Sequence, residues 1–253
     1  MAAGPSQDCM QKLDWPSHYS DETTPKGALM GTTSAPKWEQ TTKKRLADFL
    51  KSQQQTLAKL KQDDANEATI RLVVTELLNK GLGYDLVGEL APEYMVRGEF
   101  ADFGIRIDQG LVAFLEVKRP GTKLDQKHLR QVQSYAVNEG VEWLWLTNGP
   151  SWQVWHLSGG LPVTLTLVLE VDLLDGSTAA KQADRMFLIT RESMKRRQID
   201  ELWAQRAALS GDNLRSVLLS GPVLQVIRRE LRKSTGYLAP LEDLQDAVES
   251  GLK

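Results

Sequence analysis

Asp102, Glu116 and Lys118 interrupt two apolar runs in FADFGIRIDQGLVAFLEVKRP, residues 100–120. Two carboxylates and an ammonium in an apolar hairpin need a reason, and counting supplies one. In an antiparallel pair, directly opposed residues share a face and their numbers have a constant sum. A three-residue loop of Asp108, Gln109 and Gly110, with Gly110 in the left-handed conformation, sets Ile107 against Leu111. Ala101, Phe103, Ile105 and Ile107 then join Leu111, Ala113, Leu115 and Val117 on a wholly apolar face. The opposite face carries Asp102, Gly104 and Arg106 with Val112, Phe114, Glu116 and Lys118, and Asp102 lies directly across from Glu116. A two-residue loop of Gln109 and Gly110 would scatter the apolar set, so the three-residue register is expected.

Neighbouring carboxylates in a partly desolvated place repel, and one of them takes up a proton unless a cation relieves the strain. A hard divalent ion with oxygen preference does this, Mg²⁺ being the usual one and Mn²⁺ a substitute. Asp102 and Glu116 are the candidate ligands, with the Val117 main-chain carbonyl between the polar positions as a third. Hydrolysis of a phosphodiester needs a nucleophilic water, charge neutralisation in the transition state and help for the leaving oxygen. Two carboxylates, a lysine and a bound cation are a sufficient minimum for that chemistry.

These residues need elements to hold them. From Lys37, Leu46, Phe49, Leu50, Leu57 and Leu60 recur at helical spacing. A second helix runs through NEATIRLVVTELLNKGLGYD, with Gly81 or Gly83 to end it. FADFGIRI and LVAFLEVK read as strands, as do VEWLWLTN and SWQVWHL around Gly149 and Pro150, and PVTLTLVLEVDL. One amphipathic helix, roughly Leu124 to Asn138, lies between the two hairpins. Helices interleaved with strands define an α/β class. After Asp175 the pattern is helical, with stripes at Ile199, Leu202, Trp203 and Leu209 and at Val223, Leu224, Val226, Ile227 and Leu231; Pro240 suits the first turn of a last helix. The expected organisation is a flexible tail over residues 1–36, an α/β domain over 37–175 and a helical subdomain over 176–253. The tail's Ser, Thr, Gly and Pro content carries no apolar period.

The net charge of −2 across 253 residues gives no global sign of a polyanion partner, so any such contact falls to a local patch. Lys118, Arg119, Lys123, Lys127 and Arg130 form one, against Asp125 alone. Cys9 is the single cysteine, which excludes internal disulfides and thiolate cages. No basic-then-apolar leader and no 18-residue apolar run occur, and a cytoplasmic location is expected. His18, His128 and His156 lack metal-ligand spacing, and no G-x-S-x-G elbow or G-x4-G-K-[ST] phosphate loop is present.

D-x13-E-x-K resembles the PD-(D/E)xK nuclease superfamily, and the chain is most similar in pattern to the N-terminal nuclease domain of type I restriction enzyme R subunits. NEATIR opening a helix that ends LLNKGLGYD, then ADF, LEVKR, RQVQSY and WLTNG with WQVWH carry that likeness, in order, across residues 60–175. The resemblance implies a restriction-endonuclease-like central mixed sheet flanked by helices. It implies a Mg²⁺-dependent DNA endonuclease of restriction, antiphage defence or repair, with Asp102 and Glu116 as ligands and Lys118 as catalytic lysine. Glu67 becomes an accessory acid. Gln131 and Tyr135, the Q-x3-Y pair, shape the site or hold nucleic acid beside it, and Arg119, Lys123, Lys127 and Arg130 line the path of the backbone. A homodimer, or a separate motor or specificity subunit, is the expected partner. Ala101 stands where the superfamily name has Pro, and the phosphate loop of the motor that follows in the restriction subunits does not occur within these 253 residues.

Blander alternatives stand beside these. The three ionic residues suit a solvated strand face, Glu67 suits the dipole of its helix, and a Tyr135 edge suits packing on the sheet. Trp143, Trp145, Trp152 and Trp155 suit a core better than a base-stacking surface. The competing functions are a non-catalytic nucleic-acid or protein-binding module, and a nuclease subunit active only with an ATP-driven motor.

Overall fold

The computed structural model describes residues 35–96, 99–159 and 163–252. The tail expected over residues 1–36 lies, but for its last two residues, outside them; so do Cys9 and His18. Residues 37–253 cluster as one unit.

Helix α1 spans Lys37–Gln62 and buries Leu46, Leu50 and Leu57 along one face. Helix α2, Glu67–Glu76, starts at Asn66, whose side chain accepts from the Thr69 amide at 2.9 Å. It buries Ile70 and Val74 and runs on into a π-helical turn, Leu77–Gly81. A Cβ at Gly81 would lie 2.6 Å from a Leu77 methyl and 3.0 Å from the Phe49 ring, so α1 and this turn meet at a glycine. Gly83, at φ 88°, then reverses the chain.

Six strands form one sheet in chain order: β1 Leu90–Val96, β2 Glu99–Ile107, β3 Gly110–Val117, β4 Trp143–Thr147, β5 Ser151–Ser158 and β6 Thr164–Asp172. All neighbours are antiparallel except β3 and β4, which run parallel. A parallel pair needs a crossover. It is made by a 3₁₀ turn, Gln126–Leu129, and α3, Arg130–Glu139, which Gly140 ends at φ 68°. Strand β1 was not among the expected strands; it forms at the sheet edge, where its Pro92 is tolerated.

The sheet is covered on both faces. One core gathers Leu46, Leu50, Ile70 and Val74 from the first helices onto Phe103, Ile105, Leu115, Val117, Trp143, Trp145 and Trp152. The other packs Leu129, Val132, Tyr135 and Ala136 against Phe114, Leu144 and Leu146. Strand β4 is buried along its whole length, the mark of a central strand with helices on either side. The aromatic residues Trp143, Trp145 and Trp152 are core, as expected.

The turn of the β2–β3 hairpin corrects the expectation. Ile107 pairs with Gly110, not with Leu111, and Arg106 pairs with Leu111. The loop is two residues, Asp108 and Gln109, at φ 48° and 68°, and Gly110 is not left-handed. Positive φ at both central residues matches the twist that a two-residue hairpin wants. A bulge at Val112 then absorbs one residue, and Ile105 faces Ala113 as counted. Leu111 and Val112 exchange faces in consequence: Leu111 packs with the second core and Val112 with the first. Ala101 also packs with the second core, beside Tyr94, its partner on β1.

Beyond the sheet lie α4 Ala179–Met186, α5 Arg191–Lys195, α6 Gln198–Ala208, α7 Gly211–Leu218, α8 Gly221–Thr235 and α9 Leu241–Gly251. Met186, Ile189, Met194 and Ile199 complete the first core, whereas Leu224, Ala239 and Leu244 make a small core of their own. Polar ties reinforce the first attachment. The Arg45 guanidinium grips Glu192 at 2.6 and 3.0 Å, Arg191 holds Glu89 at 2.7 Å, and the Tyr84 hydroxyl donates to the Ile189 carbonyl at 2.9 Å.

His156 on β5 is clamped between Trp203 of α6, stacked at 3.8 Å, and the edge of Trp143 at 4.9 Å. Burial pushes its pKa down, against the pull of Glu142 and Asp200. A histidine neutral in the fold and protonated when unfolded removes stability as pH falls. Urea denaturation should therefore show stability holding above about pH 6.5 and declining below it. His156→Phe should flatten that decline; an equal slope in the variant would assign it to other groups.

Candidate functional site

The β2–β3 pairing ends at Phe103 and Leu115; Asp102 and Glu116 are the next residue on each strand, close enough for the Asp102 charge to act on the Glu116 carboxyl. The two expected errors cancel: a loop one residue shorter is offset by one bulged residue. Lys118 follows the last residue of β3, where its amide donates to the Thr147 carbonyl at 2.8 Å and keeps it in line with β4. Lys118 Nζ lies 2.6 Å from Glu116 Oε1, with side-chain exposures of 21% and 15%. Asp102 is 13% exposed; its Oδ2 accepts from the Val117 amide at 2.7 Å and its Oδ1 meets Arg71 Nη2 at 2.6 Å.

Glu67 stands at the first position of α2, where the helix dipole favours it. Its charge is also felt at both Glu116 and Lys118, which brings α2 and the hairpin to one place. The Glu116 carboxyl is pushed up by burial first and by the Asp102 charge second, and Glu67 adds to this, so the Lys118 ammonium does not offset them. Burial works against the Lys118 ammonium, yet its bond to Glu116 and the charges of Glu116, Glu67 and Asp102 outweigh it and raise the pKa. Three carboxylates thus face two cations, and the surplus is negative.

That surplus suits a hard cation. Among the described residues no three His, Cys, Asp or Glu side chains gather as a ready cage. Mg²⁺ does not demand one, since it keeps several waters and binds through one or two carboxylates. Asp102 and Glu116, with a main-chain carbonyl such as that of Val117, fit that donor set.

The basic segment follows at once. Lys123, Lys127 and Arg130 are exposed. Arg119 is exposed as well but is engaged by Asp64, which also accepts from the Gly121 amide at 2.9 Å. Asn148 donates to the carbonyls of Pro120 and Thr122 at 3.2 and 3.0 Å, anchoring the loop from below. His128 and Asp125 cap the 3₁₀ turn reciprocally. Tyr135 is buried in the second core, whereas Gln131 lies in the first turn of α3 and its side chain is outside the described set.

Arg71, Asp64 and Asn148 were not anticipated. Arg71 had a readable signal, four residues after Glu67 and so on the same helical face. Asp64 and Asn148 had none, because their partners are distant in sequence.

A six-stranded mixed sheet flanked by helices is consistent with a restriction-endonuclease-like fold. Residues 66–162 match the family described as type I restriction enzyme R protein N terminus, so this stretch is similar to a restriction-enzyme N-terminal domain. The match takes in Glu67, Arg71, Asp102, Glu116, Lys118 and the basic segment. No curated protein and no solved structure matched the chain. Among the described residues no helix is long and apolar enough to cross a membrane.

Proposed function

We propose that this chain is a Mg²⁺-dependent endodeoxyribonuclease of the PD-(D/E)xK kind, with Mn²⁺ able to replace Mg²⁺. The observation that carries the reading is the meeting of α2 with the hairpin at two half-buried ion pairs, Arg71 with Asp102 and Lys118 with Glu116, each at 2.6 Å. A solvated strand face would leave such carboxylates open, whereas Asp102 and Glu116 are only 13% and 15% exposed.

Asp102 and Glu116 would hold the cation, which would supply a water of lowered pKa and a Lewis acid for a phosphoryl oxygen. The chain's own residues do the rest. Asp102 and Glu116 hold the ligand positions, kept in register by the hairpin. Lys118 is placed to orient the attacking water or to steady developing charge. Glu67 adds a carboxylate from the helix side. Tyr135 shapes the floor beneath α3 from within the core, and Gln131 begins that helix. Arg119, Lys123, Lys127 and Arg130 lie along the path that a DNA backbone takes on leaving the site. A homodimer or a motor or specificity subunit would supply the second cut or the targeting.

Cleavage of supercoiled plasmid with Mg²⁺ or Mn²⁺, wild type against Glu116→Gln, tests the proposal. The basic segment has its own test. Replacing Lys123, Lys127 and Arg130 together by Ala should weaken DNA binding across sequences alike. Each lost phosphate contact lowers the salt slope by about 0.9, hence by about 2.7 for three. An unchanged slope would place the DNA elsewhere.

A further inference from the structure

Arg71 follows Glu67 by one helical turn on α2, so both side chains leave the same face of the helix. One arm of its guanidinium lies 2.6 Å from Asp102 Oδ1. Its Nε is buried and has no hydrogen-bond partner among the described residues. A guanidinium carries five donors in a fixed fork that matches phosphate as well as carboxylate. Here one arm is used on Asp102 and a buried donor is left idle, which costs free energy.

We propose that Arg71 is an exchangeable counter-ion: it holds Asp102 while no divalent cation is present, yields that carboxylate to the cation, and then takes a phosphate oxygen of the DNA. This inference rests on the reading of Asp102 and Glu116 as a cation site. Asp102 Oδ2 already accepts from the Val117 amide, so Oδ1 is the oxygen that a cation has to share or take. Lys118 already compensates Glu116. Arg71 and Lys118 together therefore supply the two positive charges that a divalent ion would bring, and a cation arriving at Asp102 meets the guanidinium as a like charge. Release of Arg71 removes that repulsion and frees a fork beside the reacting phosphate. Cation and DNA binding become coupled through one side chain.

Calorimetric titration of the full chain with Mn²⁺ reads the first half. Arg71→Met should bind Mn²⁺ about tenfold more tightly than wild type, since a like charge within a few ångströms is gone. A double variant that adds Asp102→Asn should lose the gain. Arg71→Gln removes the charge and keeps a donor for Asp102, so it decides the matter if Arg71→Met fails to fold. Fluorescence anisotropy with duplex DNA reads the second half: Ca²⁺ should tighten binding by wild type and leave the folded Arg71 variant unaffected. Mn²⁺ affinity equal to or weaker than wild type in the folded variants overturns the role of Arg71 and leaves the cation site standing. A wild type that takes up no Mn²⁺ removes the cation site, and with it this inference.

Discussion

Glu116→Gln is expected to lower plasmid cleavage by about 10²–10³-fold or more, the scale of losing one electrostatic element of a hydrolytic site. The substitution keeps shape and removes charge from the carboxylate on which the cluster converges. Burial and the Asp102 charge push its carboxyl up, and a neutral amide of the same shape escapes both effects. The melting temperature should stay close to that of wild type, which separates lost chemistry from lost structure. Lys118→Met should give a comparable loss of cleavage with DNA binding retained. Cleavage by the Glu116 variant at the wild-type rate would move the reading to a non-catalytic binding module. Cleavage that appears only when a partner ATPase is added would move it to a subunit that needs a motor.

Trp145→Ala should destabilise the protein by about 3–5 kcal/mol, the range for emptying a large aromatic site. At this size that lowers the melting temperature by about 10 °C. Trp145 is fully buried on β4, level with Leu115 on β3, and meets the Tyr84 ring edge-on at 6.2 Å between centroids. Its indole Nε1 is buried without a hydrogen-bond partner among the described residues. Trp145→Phe removes that orphan donor along with some volume, and should therefore cost much less than the Ala variant. Urea denaturation of both variants checks the pair. Equal losses would mean that the indole donor has a partner, such as a buried water, and contributes to stability.

The acidic hairpin was legible because strand alternation and a conserved sum between opposed residues are local rules. They set Phe103, Gly104 and Ile105 against Leu115, Phe114 and Ala113 without knowledge of the helices, and the pairing bears this out. The details of the turn escaped them. Alternation distinguishes loop lengths only if no residue bulges, and here Val112 does. A shorter loop and a bulge leave the far pairs where a longer loop would have left them. Strand β1 was missed for a related reason: propensity penalises Pro92, and only its position at an edge makes it harmless. The apolar run at residues 143–147 did announce a buried strand, and burial on both faces bears that out.

The sequence by itself determined which residue types could do chemistry and which of them share a strand pair. Spacing within one element is a short-range property, written in alternation and helical period. Tertiary structure decided what those groups meet. It brought Arg71 to Asp102, Asp64 to the loop after β3, and His156 between Trp143 and Trp203. Each such contact joins segments far apart in the chain, set by how helices pack across a sheet, and no local pattern specifies which distant side chain will arrive.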